Sequence, residues 1–108
     1  MKATVYPQLA GDRIAHVVPP AYRELLPTLA PQQEYSVLLF AHAERDVIHS
    51  APVRRAIGRL GTTAPGGLVV VGTVFTTEAQ ALLAEAGATV VARRKGRWTD
   101  ESARARQL

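Results

Sequence analysis

Four side chains suited to catalysis or metal binding are clustered in one short stretch of the sequence. His42, Glu44 and Asp46 alternate along the chain, and His49 follows closely. In an extended backbone, residues two apart point to the same side, so the first three would face one way. An imidazole and two carboxylates can bind a divalent metal ion or share general acid and base work. We therefore take His42, Glu44 and Asp46 as candidate catalytic residues, and His42 and His49 as candidate metal ligands.

The alternative for this cluster is a polar loop without a site, because its spacing matches no standard metal motif. A phosphate-binding loop is considered for residues 72–77 (GTVFTT), whose amides precede a predicted helix. That segment lacks the GxGxxG pattern and the lysine of a Walker loop, and ordinary helix capping by threonine is the alternative.

The chain contains no cysteine, which excludes disulfides, thiolate metal sites and cysteine nucleophiles. We predict no cofactor.

Basic side chains form a second candidate site, for nucleic acid. Arg55 and Arg59 are four residues apart and share a face of a predicted helix, with Arg54 beside them. Together with the basic residues near the C-terminus they could contact phosphates. The alternative is a solvated helix face. The candidate nucleic-acid-binding residues are Arg54, Arg55, Arg59, Arg93, Arg94, Lys95 and Arg97.

The net charge of +4 is confined to the end of the chain. Residues 1–92 contain seven basic and seven acidic side chains, whereas residues 93–108 contain six basic and two acidic ones. A basic terminal segment can contact phosphates, or it can simply be a solvated end that aids solubility.

The elements that would position these residues are best defined in the stretch 67–91. It has an apolar strand (68–71), a helix after a threonine pair, a stop at Gly87 and a second strand (88–92). The apolar run 35–41 and the helix 51–60 place a second β-α-β unit in front of it. Parallel strands joined by helices are connected by right-handed crossovers in nearly all proteins. The sequence therefore predicts a three-stranded parallel core with packed helices.

Specific residues are predicted to begin and end these helices. Ser50 is a candidate N-cap for the first helix, and Thr76 or Thr77 for the second. Thr77 and Gln80 have the spacing of a capping box. Gly87 is predicted to end the second helix in a left-handed conformation.

The two ends of the chain complete the predicted fold. Residues 3–9 and 12–18 predict a β-hairpin, with Pro7 placing the first strand at a sheet edge. Residues 21–30 predict a helix, and Thr99 is expected to cap a last one. The predicted fold class is α/β, a small mixed sheet with an N-terminal antiparallel hairpin and a parallel β-α-β-α-β core. Residues 1–96 are expected to form a single domain and 97–108 a basic C-terminal helix or tail.

The sequence has no apolar run of about 18 residues, so no transmembrane helix and no contact with a membrane are predicted. The N-terminus lacks the apolar centre of a signal peptide. With the absence of cysteine, these features favour a cytoplasmic location.

The segment from Glu34 to Ala92 resembles the C-terminal half of the restriction-endonuclease-like core in its Mrr-type form. The similarity lies in the apolar strand 68–71, the turn 75–79 (FTTEA) and the strand 87–91 (GATVV). That family carries a Glu/Gln-x-Lys signature on the strand before the first helix, and a metal-binding aspartate upstream. Here Phe40-Ala41-His42 stands in the signature, and Asp12 is the only aspartate of the predicted hairpin. The resemblance therefore implies a non-catalytic relative.

Three functions follow as hypotheses. The first is a non-catalytic restriction-endonuclease-like module that binds nucleic acid or a protein partner. The second is a small Rossmann-like ligand-binding or metal-dependent enzyme domain that uses His42, Glu44 and Asp46. The third is a structural protein that forms a homodimer through an exposed apolar face.

Overall fold

The computed structural model of the protein describes residues 3–40, 47–94 and 97–100, and it describes side chains up to residue 92. The elements, in chain order, are β1 (Thr4–Ala10), α1 (Gly11–Val17), α2 (Pro20–Arg23), β2 (Glu34–Leu39), β3 (Val47–Ile48), α3 (Ser50–Leu60), β4 (Leu68–Gly72), β5 (Val74–Phe75), α4 (Thr77–Glu85), β6 (Thr89–Arg94) and β7 (Arg97–Asp100).

One mixed sheet organises the described residues, with strand order β1-β2-β4-β6-β7. The central strands β2, β4 and β6 are parallel, with Val37 opposite Val69 and Val70 opposite Val90. The edge strands β1 and β7 run antiparallel to β2 and β6. The predicted fold class is confirmed: a small mixed α/β sheet with an antiparallel N-terminal strand and a parallel β-α-β-α-β core.

The antiparallel partner of β1 is not the one predicted. Residues 12–18 were expected to form the second strand of a hairpin, but Gly11–Val17 form α1, and β1 pairs with β2 instead. Ile14 and Val18 are four residues apart and both are buried against the sheet. A run this short fits both the strand and the helix period, and here the helix period is the correct one.

The second helix is shorter than predicted because of a proline. Helix α2 covers only Pro20–Arg23, whereas residues 21–30 were expected to be helical. Pro27 has no amide hydrogen, and in a continuing helix its ring would clash with the carbonyl group of Arg23. The helix ends at Arg23, before the proline.

The C-terminal prediction also needs correction. Arg97–Asp100 form strand β7, in which Thr99 pairs with Ala92, so Thr99 does not cap a helix. Residues 101–108, where that helix was expected, lie outside the described part of the chain.

The helix ends around α4 follow the sequence more closely. The Thr76 hydroxyl accepts a hydrogen bond from the amide of Ala79 at 3.1 Å, so Thr76 is the N-cap and the capping box at Thr77 is wrong. Gly87 has φ of 70°, as predicted. The amide of Ala88 donates to the carbonyl of Leu83 at 3.0 Å, which closes a Schellman motif. At α3 the N-cap is His49, without a side-chain bond, and not Ser50.

Two hydrophobic cores lie on the two faces of the sheet. Helices α3 and α4 cover one face, where Leu38, Val70 and Leu83 are buried. Helices α1 and α2 cover the other, where Ile14, Val37 and Val69 are buried. The strands β2, β4 and β6 follow one another in one direction across the sheet, so crossovers of the same hand put α3 and α4 on the same face. In the described residues no helix is long and apolar enough to cross a membrane.

Candidate functional site

The carboxyl ends of β2, β4 and β6 form the edge of the sheet where open α/β proteins bind ligands. A small second sheet lies beyond them, in which β3 and β5 pair in parallel with Val47 opposite Val74. His42, Glu44 and Asp46 lie outside the described residues, so this cluster stays a prediction. His49 is exposed and precedes α3. Within the described residues, no group of three histidine or acidic side chains could hold a metal ion.

Phe40 belongs to the hydrophobic core. Its side chain is 1% exposed, and its ring meets Phe75 edge-on, with 5.9 Å between the ring centres. Its amide donates to the carbonyl of Val71 at 2.7 Å, which continues the parallel pairing beyond β2. The position where the resemblance expects a metal-binding carboxylate or amide is therefore filled by a packing residue.

Asp12 lies at the opposite end of β2 from Phe40. It lies in the first turn of α1, and its amide donates to the carbonyl of Pro31 at 3.2 Å, near the start of β2. The six residues of β2 separate this end from Phe40, a length of about 20 Å at the usual rise of a strand. Asp12 and Phe40 thus do not converge on one site.

In the segment 72–77, the candidate phosphate-binding loop, Gly72 and Thr76 both have structural roles. A Cβ at Gly72 would lie 2.6 Å from the Phe75 ring and 2.7 Å from the Ile48 side chain, so the glycine makes room for core packing. The Thr76 hydroxyl is engaged as the N-cap of α4. Packing and capping therefore explain this segment without an anion.

The structure has a groove next to α1 that was not predicted from the sequence. Leu9, Asp12, Arg13, His16 and Val17 line it, and its volume is about 440 Å³. Its three polar side chains are exposed. Asp12 and His16 are four residues apart, so a helical interpretation of residues 12–18 would have placed them together.

Helix α3 presents arginines on its exposed face. Val53, Ala56 and Leu60 are buried on the side that faces the sheet and α4. Arg54 and Arg55 are exposed and form no hydrogen bond or ion pair with any residue in the described ranges. Two of the predicted nucleic-acid-binding residues are therefore exposed to solvent, and no described residue binds their guanidinium groups.

Arg59, on the same helix, has a structural contact. Its Nη1 donates to the carbonyl of Ala3 at 3.1 Å and so ties α3 to the segment before β1. A guanidinium group carries five N–H donors, so this bond leaves others for a ligand. Arg59 thus combines a fold-stabilising contact with a position on the arginine face.

The C-terminal basic residues belong to a different part of the molecule. Arg93 and Arg94 end β6, and Arg97 begins β7 opposite Arg94, whereas Lys95 is outside the described residues. Helix α3 packs against β1, at the other edge of the sheet from β7. Two strands separate β2 from β7, so β2 and β7 are about 14 Å apart at the usual strand spacing. The C-terminal basic positions in the described ranges and the arginines of α3 thus lie on elements at opposite edges of the sheet.

Comparison with known proteins supplies no family. No family model matches the chain, and no curated protein or solved structure matches it. The turn 75–79, which carries the resemblance noted in the sequence, has structural roles: Phe75 and Ala79 are buried, and Thr76 caps α4. Inference about function therefore depends on the residues themselves.

Proposed function

We propose that this protein is a non-catalytic, restriction-endonuclease-like module that binds nucleic acid through helix α3. The observation that carries the proposal is the pair Arg54 and Arg55, both exposed and without a partner among the described residues. A guanidinium group matches the oxygens of a phosphate in a bidentate geometry. Each phosphate that is neutralised releases counterions, which favours binding.

The composition of α3 favours a binding face over a merely solvated one. The helix Ser50–Leu60 contains three arginines and no acidic residue. Solvated helix faces usually mix charges of both signs, because mixed charges support solubility without a large local field. A face of one sign instead attracts a partner of the opposite sign.

The burial of Phe40 supports a module without nuclease activity. Nucleases of this type hold Mg²⁺ with clustered carboxylates, which also position the attacking water. Phe40 is 1% exposed and packs on Phe75 where the resemblance expects one of those ligands. The protein would then bind nucleic acid in the cytoplasm, a compartment that suits its lack of cysteine, and leave it uncut.

The experiment measures the affinity for a fluorescent DNA duplex of about 20 base pairs as a function of salt. The wild-type protein should lose affinity steeply as salt rises. Arg54→Gln and Arg55→Gln should each weaken binding and reduce the slope of log K against log salt by about 1. Arg13→Gln is the matched control, since Arg13 is exposed on α1, on the other face of the sheet.

Two results would overturn this proposal. One is a wild-type protein whose affinity for the duplex does not depend on salt. The other is an equal loss for Arg13→Gln, which would indicate general charge rather than a face on α3. Polyglutamate serves as a competitor: if it displaces the duplex as well as unlabelled DNA does, the partner is an acidic protein.

The C-terminal basic residues are tested separately. Truncation after Ala92 would also remove β7 and part of β6, so substitution to glutamine is the cleaner change. Glutamine at positions 93, 94, 95 and 97 should reduce the salt slope further if these residues contact phosphates. An unchanged slope would exclude them and leave the face on α3 as the binding surface.

A further inference from the structure

Gly58, in the last turn of α3, has no structural reason to be glycine. A Cβ built at this position would meet no atom within 4 Å, and its φ is helical. The other glycines in the described ranges all have such a reason. Gly11, Gly66 and Gly72 would each place a Cβ within 3 Å of another atom, and Gly61, Gly67 and Gly87 have positive φ. Gly58 alone among them could be alanine without strain.

A glycine at this position weakens the helix. After proline, glycine is the least favourable residue in a helix interior, because it gives up the most conformational freedom on folding. Arg55 and Arg59 add a second cost, since like charges four residues apart repel each other. Residues that break local rules without a packing benefit are characteristic of functional sites.

Arg54 and Arg55 lie one turn before Gly58 on the surface of α3, one to each side of it around the helix axis. Arg54 precedes it by four residues and Arg55 by three, and both spacings make neighbours on a helix surface. The exposed face of α3 thus has a bare stretch of backbone one turn after two arginines that no described residue engages. Such a surface lets a phosphate-bearing backbone approach the helix at Gly58 while the guanidinium groups of the preceding turn bind its phosphates.

We infer that α3 binds the sugar-phosphate backbone of a nucleic acid duplex, with Gly58 as the point of closest approach. This inference rests on the proposed function and specifies its ligand. The charge of the face complements phosphate. Helix α3 contains no aromatic residue, whereas proteins that bind single strands stack bases on aromatic side chains. Backbone contacts alone carry no sequence information, so binding should not depend on the base sequence.

Gly58→Ala tests the inference because it should change stability and binding in opposite directions. The melting temperature should rise by up to about 4 °C, as helix propensity improves. The affinity for the duplex should fall by about tenfold, because the new methyl group occupies the contact surface. A rise in stability excludes misfolding as the cause of lost binding.

Two comparisons complete the experiment. Gly58→Gln should weaken duplex binding more than Gly58→Ala does, whereas Ala21→Gln should leave it unchanged. Ala21 is exposed on α2, which packs on the other face of the sheet. Ala21→Gln therefore adds a glutamine side chain to the surface away from α3. The wild-type protein should also bind the duplex more tightly than a single strand of the same length, and equally for duplexes of different sequence.

The outcomes separate this inference from the proposed function. If Gly58→Ala binds the duplex as tightly as the wild-type protein while Arg54→Gln still weakens binding, the proposed function stands and the close approach is wrong. Equal affinity for the single strand would overturn the duplex as ligand. If the wild-type protein binds neither form, both proposals fail.

Discussion

At the scale of single residues, Ser36 joins three parts of the fold through one buried hydroxyl group. Its side chain is fully buried in β2. The hydroxyl donates to the carbonyl of Pro7 at 2.8 Å and accepts from the amide of Ala64 at 2.8 Å. Pro7 lies within the irregular part of β1, between Tyr6 and Leu9, where the pairing with β2 shifts register. One side chain thus satisfies a strand irregularity and a loop at the same time.

Ser36→Ala should reduce the free energy of unfolding by about 1–3 kcal/mol, because it leaves the buried amide of Ala64 without an acceptor. Urea denaturation followed by circular dichroism measures the change. Ser50→Ala is the control, since Ser50 begins α3 and its hydroxyl has no hydrogen-bond partner among the described residues. Equal effects of the two substitutions would contradict the role of Ser36.

At the scale of elements, the ends of the helices depend on single residues that the sequence does not always distinguish. Thr76 and Thr77 are adjacent and chemically identical, and both fit a cap. The structure assigns the bond to Thr76, and the side chain of Gln80 donates to the carbonyl of Phe75 instead of closing a capping box. The choice depends on where β5 ends, which pairing with β3 determines.

Thr76→Ala should therefore destabilise the protein by about 1 kcal/mol, through loss of the capping bond to the amide of Ala79. Thr77→Ala should change stability by less than about 0.5 kcal/mol, because Thr77 is exposed and is not the cap. The melting temperatures of the two variants, measured under the same conditions, give the comparison. A larger loss for Thr77→Ala would contradict the assignment of the cap.

At the scale of the whole molecule, one sheet is shared by two cores. Alternate residues of β2 point to opposite faces, with Val37 in the core under α1 and Leu38 in the core under α3. The strands therefore couple the two helical layers mechanically. We expect the described domain to unfold as one cooperative unit rather than as two layers.

Ile14→Val and Ile48→Val test this coupling with the same substitution in both cores. Each isoleucine is fully buried, Ile14 on the inner side of α1 and Ile48 on the α3 side of the sheet. Each variant should lose about 0.5–1.5 kcal/mol, from the removed methyl group and the space it leaves. Calorimetry should show a single transition in both variants. A second transition in either one would mean that the layers unfold separately.

The parallel core and the α/β class could be predicted from the sequence alone. The apolar strands, the helix Ser50–Leu60 and the stop at Gly87 are encoded within short windows, through hydrophobic period and backbone preference. The arginine face of α3 was predictable for the same reason, since its spacing is local. The sequence also predicted the cluster at His42, which stays a prediction.

The other features could not be predicted in this way, because they depend on contacts between residues far apart in the chain. The pairing of β1 with β2, and with it the helical state of residues 11–17, follows from which surfaces can be buried together. The burial of Phe40 and the separation of Asp12 from it have the same origin. Gly58 is the clearest case. The sequence does not show that this position lacks a structural need for glycine; the space around it, compared with that around the other described glycines, does.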